Sequence, residues 1–205
     1  MPHSVTKKFE AALCEYTGAP YAVAVNSCTM ALLIAIRAAA DTEKYGFPYP
    51  DVHIEIPVRT YIGVPMSIRN AGYWPLFRDE RWLGEYQLKP LKIWDSARRF
   101  TSGMYKPGNM QCVSFHTSKI LGDSQGGAIL LDDPEVDAYL RRARFDGRTE
   151  GVAPKDDHFD MVGYHCYISP DVSARLLWKL SVLPKHNDDL PNDDYPNLSF
   201  AEVFK

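Results

Sequence analysis

The stretch Val113-Ser114-Phe115-His116-Thr117-Ser118-Lys119-Ile120-Leu121-Gly122-Asp123-Ser124-Gln125-Gly126-Gly127 decides how the rest of the chain reads. An apolar strand ends at Ser114 to Phe115, a lysine follows in a polar turn, and a double glycine opens the next apolar run. A lysine in that place suits Schiff-base chemistry. Covalent capture of an aldehyde needs an unprotonated amine, so Lys119 is expected to be partly desolvated and near other positive charge, which lowers its pKa. Pyridoxal phosphate is the aldehyde such an amine would hold. A single lysine after a strand is ordinarily a surface residue, and two further segments change that reading.

The first is Lys92-Ile93-Trp94-Asp95-Ser96-Ala97-Arg98-Arg99. An aspartate at the C-terminal end of a short apolar strand lies where open α/β sheets gather ligand-binding groups. Its carboxylate can pair with a pyridine nitrogen and keep that nitrogen protonated; the same residue type also serves as a helix N-cap. The second segment is Tyr21 to Val25, then Asn26-Ser27-Cys28-Thr29, then an alanine- and leucine-rich run to Ala40. Strand, polar turn and helix in that order set backbone N–H groups and the Ser27 and Thr29 hydroxyls at a helix N-terminus, a seat for phosphate. Plain N-capping by Ser27 or Thr29 would use the same geometry.

Taken together and in this order, the segments resemble the DegT/DnrJ/EryC1/StrS family of pyridoxal phosphate enzymes. That family is the sugar aminotransferase branch of the type I aspartate aminotransferase fold. Phe9-Glu10 through Gly18 and Ala22 to Leu32 look like its opening helix, first strand and phosphate turn, with Cys28 between the two hydroxyls. Ile56-Pro57 with Thr60-Tyr61 looks like its second strand and the aromatic that stacks on the cofactor ring, and Ala71 to Phe77 like the next strand. The Asp95 segment matches the pyridine-nitrogen site, Ser114 to Lys119 the lysine motif, and Gly163-Tyr164-His165-Cys166-Tyr167-Ile168-Ser169 a later Gly-Tyr-Asn stretch. The resemblance runs from about residue 8 to residue 183. Trp-Asp-Ser-Ala-Arg-Arg-Phe and Arg-Phe-Asp-Gly-Arg-Thr-Glu-Gly also look like short members carried by bacteriophages.

The resemblance implies catalytic roles for Lys119 and Asp95. It implies cofactor contacts from Ser27, Cys28, Thr29, Tyr61, Asp95, Arg98, Ser114 and Lys119, with His165 delivered from a partner subunit in a homodimer. Arg98 stands where the family has a glutamine near the cofactor's phenolic oxygen, and His165 where it has an asparagine; both keep a donor. His116 reads as structural, since Lys119 can itself move a proton. Between Phe77 and Asp95 the family usually has a strand and a helix, whereas this chain has about twenty mostly turn-like residues. One β-α unit is therefore expected to be missing, and the chain stops too soon after Leu183 for the family's small C-terminal domain.

With 205 residues, 45% of them hydrophobic, the chain can bury one sizeable core. A net charge of −3 gives no general attraction to a polyanion, so nucleic-acid binding is not indicated. The Arg141-Arg142-Ala143-Arg144 cluster, with Arg148, reads as a solvated helix face. Four cysteines without metal spacing point to a reducing compartment, hence the cytoplasm. No apolar run reaches membrane-spanning length, and Met1-Pro2-His3-Ser4 opens no signal peptide.

Alternating patterns place helices at 4–17, 29–40, 61–71, 134–145 and 170–182, and strands at 21–25, 52–56, 73–77, 91–94, 111–115 and 127–131. The expected fold is α/β: a three-layer α/β/α type I pyridoxal phosphate transferase large domain over residues 1–183, around a mostly parallel mixed sheet. Residues 184–205, rich in Asn, Asp and Pro, form an expected polar extended tail that lies across the body or a neighbour through Tyr195, Leu198, Phe200 and Phe204. The expected activity is transfer of an amino group from an amino acid to a keto-sugar or similar small keto substrate. Two alternatives stay open: a different pyridoxal phosphate reaction such as elimination or decarboxylation, and a non-catalytic cofactor-binding or subunit-interaction module.

Overall fold

The computed structural model describes residues 4–46, 53–192 and 194–204. Met1 to His3, Val52 at the start of the second expected strand, and Asp193 of the tail lie outside the described residues. The element order is α1 (Ser4–Thr17), β1 (Tyr21–Val25), α2 (Cys28–Asp41), β2 (His53–Pro57), α3 (Gly63–Asn70), β3 (Trp74–Arg78) and β4 (Tyr86–Gln87). It continues with β5 (Ile93–Asp95), β6 (Met110–Ser114), β7 (Gly127–Leu131), α4 (Pro134–Ala143) and α5 (Pro170–Ser181). Asp133 caps α4, accepting from Glu135 N at 2.9 Å and Val136 N at 3.1 Å, with Pro134 in the first turn where its missing N–H costs nothing.

The five-stranded sheet runs β1-β7-β6-β5-β4, and β2 and β3 form a separate parallel pair. Reciprocal bonds between Glu55 and Lys89, at 2.7 and 3.1 Å, set β2 beside the end of β4. The sheet is mixed, but "mostly parallel" holds only for strand direction. Among the described residues β4 and β7 run opposite to the others, and each is placed between neighbours. Three of the four ladders in the five-stranded sheet are therefore antiparallel: β1·β7, β6·β7 and β4·β5. Only β5·β6 within it is parallel. The physical reason is connection length. β6 returns as β7 after a twelve-residue loop without a helix, and β4 reaches β5 after a five-residue turn, so neither makes the helical crossover that parallel neighbours require. As expected, no helix lies between β3 and β5. The two-residue β4, which the sequence reading did not contain, takes the place between β2 and β5.

Side chains alternate across the strands and divide the core in two. Val23, Val25, Cys112, Ile129 and Leu131 pack with α2, while Ala22, Ala24, Val113, Ala128 and Leu130 pack with Phe9 and Leu13 of α1 and Leu176 of α5. The three layers follow from that period of two. Helix α2 is apolar all round, with Ala31 to Ile36 buried, because it lies between the sheet and the helices α3 and α4.

One expectation is overturned on α4. Arg144 is 1% exposed, and Glu10 of α1 is 3% exposed beneath it. Arg144 donates to Glu10 and, at 2.7 Å, to the Ala24 carbonyl; its other donors reach Glu150 at 2.8 and 3.1 Å. Arg141 reaches the second Glu10 oxygen at 2.8 Å. The cluster is thus no solvated face: a carboxylate from a distant helix draws it inward. Burial pushes the Glu10 carboxyl up, yet Arg144, Arg141 and the Ala24 N–H together hold it below the ordinary 4.5. A depressed carboxyl contributes stability that is present above its unfolded pKa and lost as pH falls through the folded one. Glu10→Ala removes one of the two carboxylates on the buried Arg144 guanidinium and leaves Glu150 on it, so it is expected to cost about 2–3 kcal/mol, or roughly 4–12 °C in melting temperature. Thermal melts across pH should show the gap between wild type and mutant closing as pH falls below 4.5.

Candidate active site

Three segments meet over the ends of β5, β6 and β7. Gly127 makes the meeting possible: a Cβ there would lie 2.6 Å from Cys28 N and 2.7 Å from Ser27 C, so only a glycine lets β7 start directly against the N-terminus of α2. Ser27 caps α2, its hydroxyl accepting from Met30 N at 3.2 Å. The amides of Cys28 and Thr29, in the first turn, have no partner in the helical ladder. Across the same gap Ser114 ends β6, and the loop from 115 to 126 carries Lys119 back over the strand ends. Gly122 tightens that loop, since a Cβ there would lie 2.7 Å from Thr117 O. Arg175 and Lys179 of α5 both bond Asp123, and Lys179 also bonds the Gly122 carbonyl at 2.6 Å.

The result is one cavity of about 330 Å³, within the size range of small-molecule sites. Ser27, Cys28, Thr29, Tyr61, Asp95, Arg98, Ser114 and Lys119 all line it. His165 does not. It is exposed beyond the end of α4, with Nδ1 2.8 Å from Asp146 Oδ2. Tyr61 precedes α3 rather than lying inside it and is 56% exposed at the cavity wall. His116 lies on the rim with Nδ1 3.0 Å from Ser118 Oγ.

Asp95 ends β5, and no helix follows it, so it is not a helix cap. Its Oδ1 accepts from Ala97 N at 3.0 Å and its Oδ2 from the Tyr86 hydroxyl at 2.9 Å. Tyr86 in turn shares a 2.5 Å bond with Thr60. Burial raises the Asp95 pKa, and these two bonds offset part of that rise. Burial also pushes the Cys28 thiol well up, with Asp95 adding to it, so the thiol stays neutral. The amine of Lys119 moves the other way: burial lowers its pKa, and Arg98 lowers it further, against a smaller opposing effect from Asp95. Lys119 is thus desolvated beside a positive charge, as aldehyde capture requires.

Several lining residues were not foreseen: Trp82, Gln125, Asp194 and Tyr195. Trp82 meets Tyr86 edge-on at 4.7 Å and stacks on Tyr195 at 6.3 Å. Tyr86 itself was missed because a two-residue strand shows no period. The tail packs on the body through Leu198, which is buried, and Phe204, which meets Phe77 edge-on at 5.5 Å, whereas Phe200 is 73% exposed.

The donor set fits pyridoxal phosphate: first-turn amides and hydroxyls for a phosphate, a buried carboxyl with only neutral direct partners for a ring nitrogen, and a desolvated amine for the aldehyde. A sequence profile described as the DegT/DnrJ/EryC1/StrS aminotransferase family matches residues 3–106 and 95–189.

The chain belongs to that family.

Among solved structures it is similar to Helicobacter pylori PseC, an aminotransferase involved in the biosynthesis of pseudoaminic acid. Identity there is 18% and the TM-score 0.72, covering 88% of this chain and 58% of that one. It is similar to DesV of S. venezuelae, solved in complex with a ketimine intermediate, at 21% identity and TM-score 0.69, covering 87% and 57%. A DegT DnrJ EryC1 StrS aminotransferase from Brucella abortus gives 20% identity and TM-score 0.70, covering 88% and 59%. These likenesses establish the expected type I large-domain fold, and the chain spans less than three fifths of each of those structures. Comparison with curated proteins finds no match.

The electrostatics of Lys119 can be read directly from its reactivity. Acylation of Lys119 followed by mass spectrometry across pH is expected to reach half-extent at lower pH in Asp95→Asn, which removes a charge that favours the ammonium. In Arg98→Met the half-point should move up. Coincident profiles for all three proteins would show that neither charge acts on the amine.

Proposed function

We propose that this chain is a pyridoxal phosphate-dependent aminotransferase that moves an amino group from an amino acid to a keto-sugar or similar small keto substrate. The observation that carries the reading is the convergence of Lys119, Asp95 and the α2 N-terminus on one cavity. The Cys28 and Thr29 amides, with the Ser27, Thr29 and Ser114 hydroxyls, would bind the phosphate, and Tyr61 would stack on the ring. Bound there, the cofactor would supply an electron sink for a carbanion at the donor's α-carbon. Asp95 would hold the ring nitrogen protonated. A buried carboxyl raised by desolvation regains its ionised form when a cation sits on it, so Asp95 suits a protonated nitrogen better than a neutral one. Once displaced by the donor's amine, Lys119 would hold and move the proton taken from the α-carbon, for which its lowered pKa fits it.

Borohydride treatment of protein mixed with pyridoxal phosphate is expected to fix one adduct on Lys119, found by peptide mass, and Lys119→Ala should yield none while keeping its fold. Asp95→Asn should retain the adduct and lose more than about a hundredfold in turnover. An adduct persisting in Lys119→Ala would sink the assignment, and an undiminished rate in Asp95→Asn would leave that aspartate a structural role only.

We further propose a two-fold homodimer in which His165 serves the partner's site. His165 lies outside its own cavity with a 71% exposed side chain, while backbone bonds from Tyr164 to Ala143 and from Cys166 to Arg144 fix its segment on α4. Closed two-fold dimers are the commonest assembly. Light scattering should give twice the 23.2 kDa chain mass, and a monomer that binds the cofactor fully would refute the shared site. No helix among the described residues is long and apolar enough to cross a membrane. The four cysteines are free thiols, which supports a reducing, cytoplasmic setting.

A further inference from the structure

Arg98 shares the cavity wall with Asp95 and Lys119, yet its donors all turn toward the C-terminal segment. Its Nε donates to Tyr195 Oη at 3.1 Å, its Nη2 to Asp194 Oδ1 at 2.7 Å and its Nη1 to the Pro191 carbonyl. The segment is fastened independently of those bonds. Asp189 pairs with Arg99, Leu190 N donates to the Arg98 carbonyl at 2.9 Å, Asn192 donates to the Trp82 carbonyl at 2.9 Å, and Leu198 N donates to Val58 O at 2.8 Å. Asp194 is the loose point in this strap. Its side chain is 72% exposed, whereas that of Arg98 is 12% exposed. A nearly buried guanidinium inside a site, neutralised by a carboxylate that is itself mostly in water, can change partners without disturbing the fold.

We propose that Arg98 is the carboxylate-binding residue of this site and that Asp194 is a built-in competitor, which holds Arg98 until the carboxylate of an amino-acid or keto-acid substrate replaces it. The substrate class rests on the aminotransferase reading above. The exchange conserves charge: one carboxylate leaves the guanidinium and another arrives, while Asp194 passes to water that already surrounds most of it. A guanidinium also offers paired N–H groups that match a carboxylate, which an ammonium does not. Because Arg98 and Lys119 line one cavity, a substrate anchored at Arg98 presents its reactive end within the space that the lysine faces. Trp82 and Tyr195 bound that space with aromatic surface.

The test is calorimetric titration with glutarate, a dicarboxylate that has neither amine nor carbonyl and so cannot react at Lys119. Asp194→Asn is expected to bind glutarate about five-fold more tightly than wild type, the loss of one competing partly exposed ion pair. Arg98→Met should lose saturable binding. Should Arg98→Met fail to fold, Arg98→Lys substitutes for it and is expected to bind more weakly than wild type. Equal affinity in Asp194→Asn and wild type, or full affinity without the guanidinium, overturns the proposal. Borohydride trapping at Lys119 on the same preparations separates the two readings. Trapping without any glutarate response removes the carboxylate site alone, and a response without trapping leaves that site standing while removing the cofactor.

Discussion

Asp123 receives Arg175 and Lys179 from α5, and this buried carboxylate between two cations fixes the loop on which Lys119 stands. The loop has twelve residues, no helix of its own and one tight corner at Gly122, so without an anchor its lysine would sample many positions. Ordering it costs conformational entropy that the ion cluster and the packing of Phe115 and Leu121 offset. Arg175, with the Ser124 amide and Lys179, holds the Asp123 carboxyl far below the usual range. That depression means that the anchor is intact above the ordinary carboxylate pKa and fails only as pH falls well below it. The antiparallel return of β7 depends on the same corner, and so does the start of β7 against α2. A lysine, the N-terminus of α2 and a strand-end carboxyl are thus brought together by one loop closure.

Within the cavity the same desolvation acts in opposite senses on the two groups proposed for chemistry. It disfavours the ammonium of Lys119 and the carboxylate of Asp95, moving both toward their neutral forms. Such a site is under electrostatic tension until a ligand brings charge of its own. Tyr86 partly relieves Asp95 through a hydrogen bond, at the cost of a phenol driven well above its ordinary pKa by burial. The bond from Thr60 to Tyr86 keeps that phenol oriented, and so the Asp95 carboxyl is held in one direction rather than left to rotate.

Much of this arrangement was legible in the sequence because it rests on local signals, short apolar runs and the turn residues that bound them. Short apolar runs bounded by turn residues marked Tyr21 to Val25 and Gly127 to Leu131 as strands to the residue, and the expected helix at 134–145 begins where α4 does. Eight of the nine expected site residues share the cavity: Ser27, Cys28, Thr29, Asp95 and Ser114 stand at a strand end or a helix start, where backbone geometry sets their direction, and Tyr61, Arg98 and Lys119 reach it from the loops beside those ends. What was missed depends on contacts distant in sequence. Nothing local marks Arg144 as buried, since its partner Glu10 lies 134 residues away. Asp194 and Tyr195 sit in a polar, proline-rich tail whose composition gives no register, and they reach the cavity through contacts with Arg98 and Trp82, which lie about a hundred residues away in sequence. The hydrogen-bond pattern of the sheet was misjudged for a related reason: strand direction follows from βαβ alternation, but ladder type depends on which strands are inserted between others.

The short stretch from Asp79 to Lys92 shows how the chemistry at the strand ends can persist while the wall around it changes. Where a β-α unit was expected to be lacking, the chain makes one two-residue strand, and that strand still supplies Tyr86 to Asp95 and positions Trp82 at the cavity. Trp82 is tied to the Arg59 carbonyl at 2.9 Å and stacked by Tyr195, so the tail and the shortened connection form one aromatic boundary. The lysine loop and the N-terminus of α2 are held by the sheet and by α5, independently of that boundary. On the proposed reading, geometry at the reacting end is set by the anchored lysine loop and the strand ends, and selectivity falls to two irregular segments that can differ without disturbing it. A chain built in this way can keep the core of its family's fold and still face a different substrate.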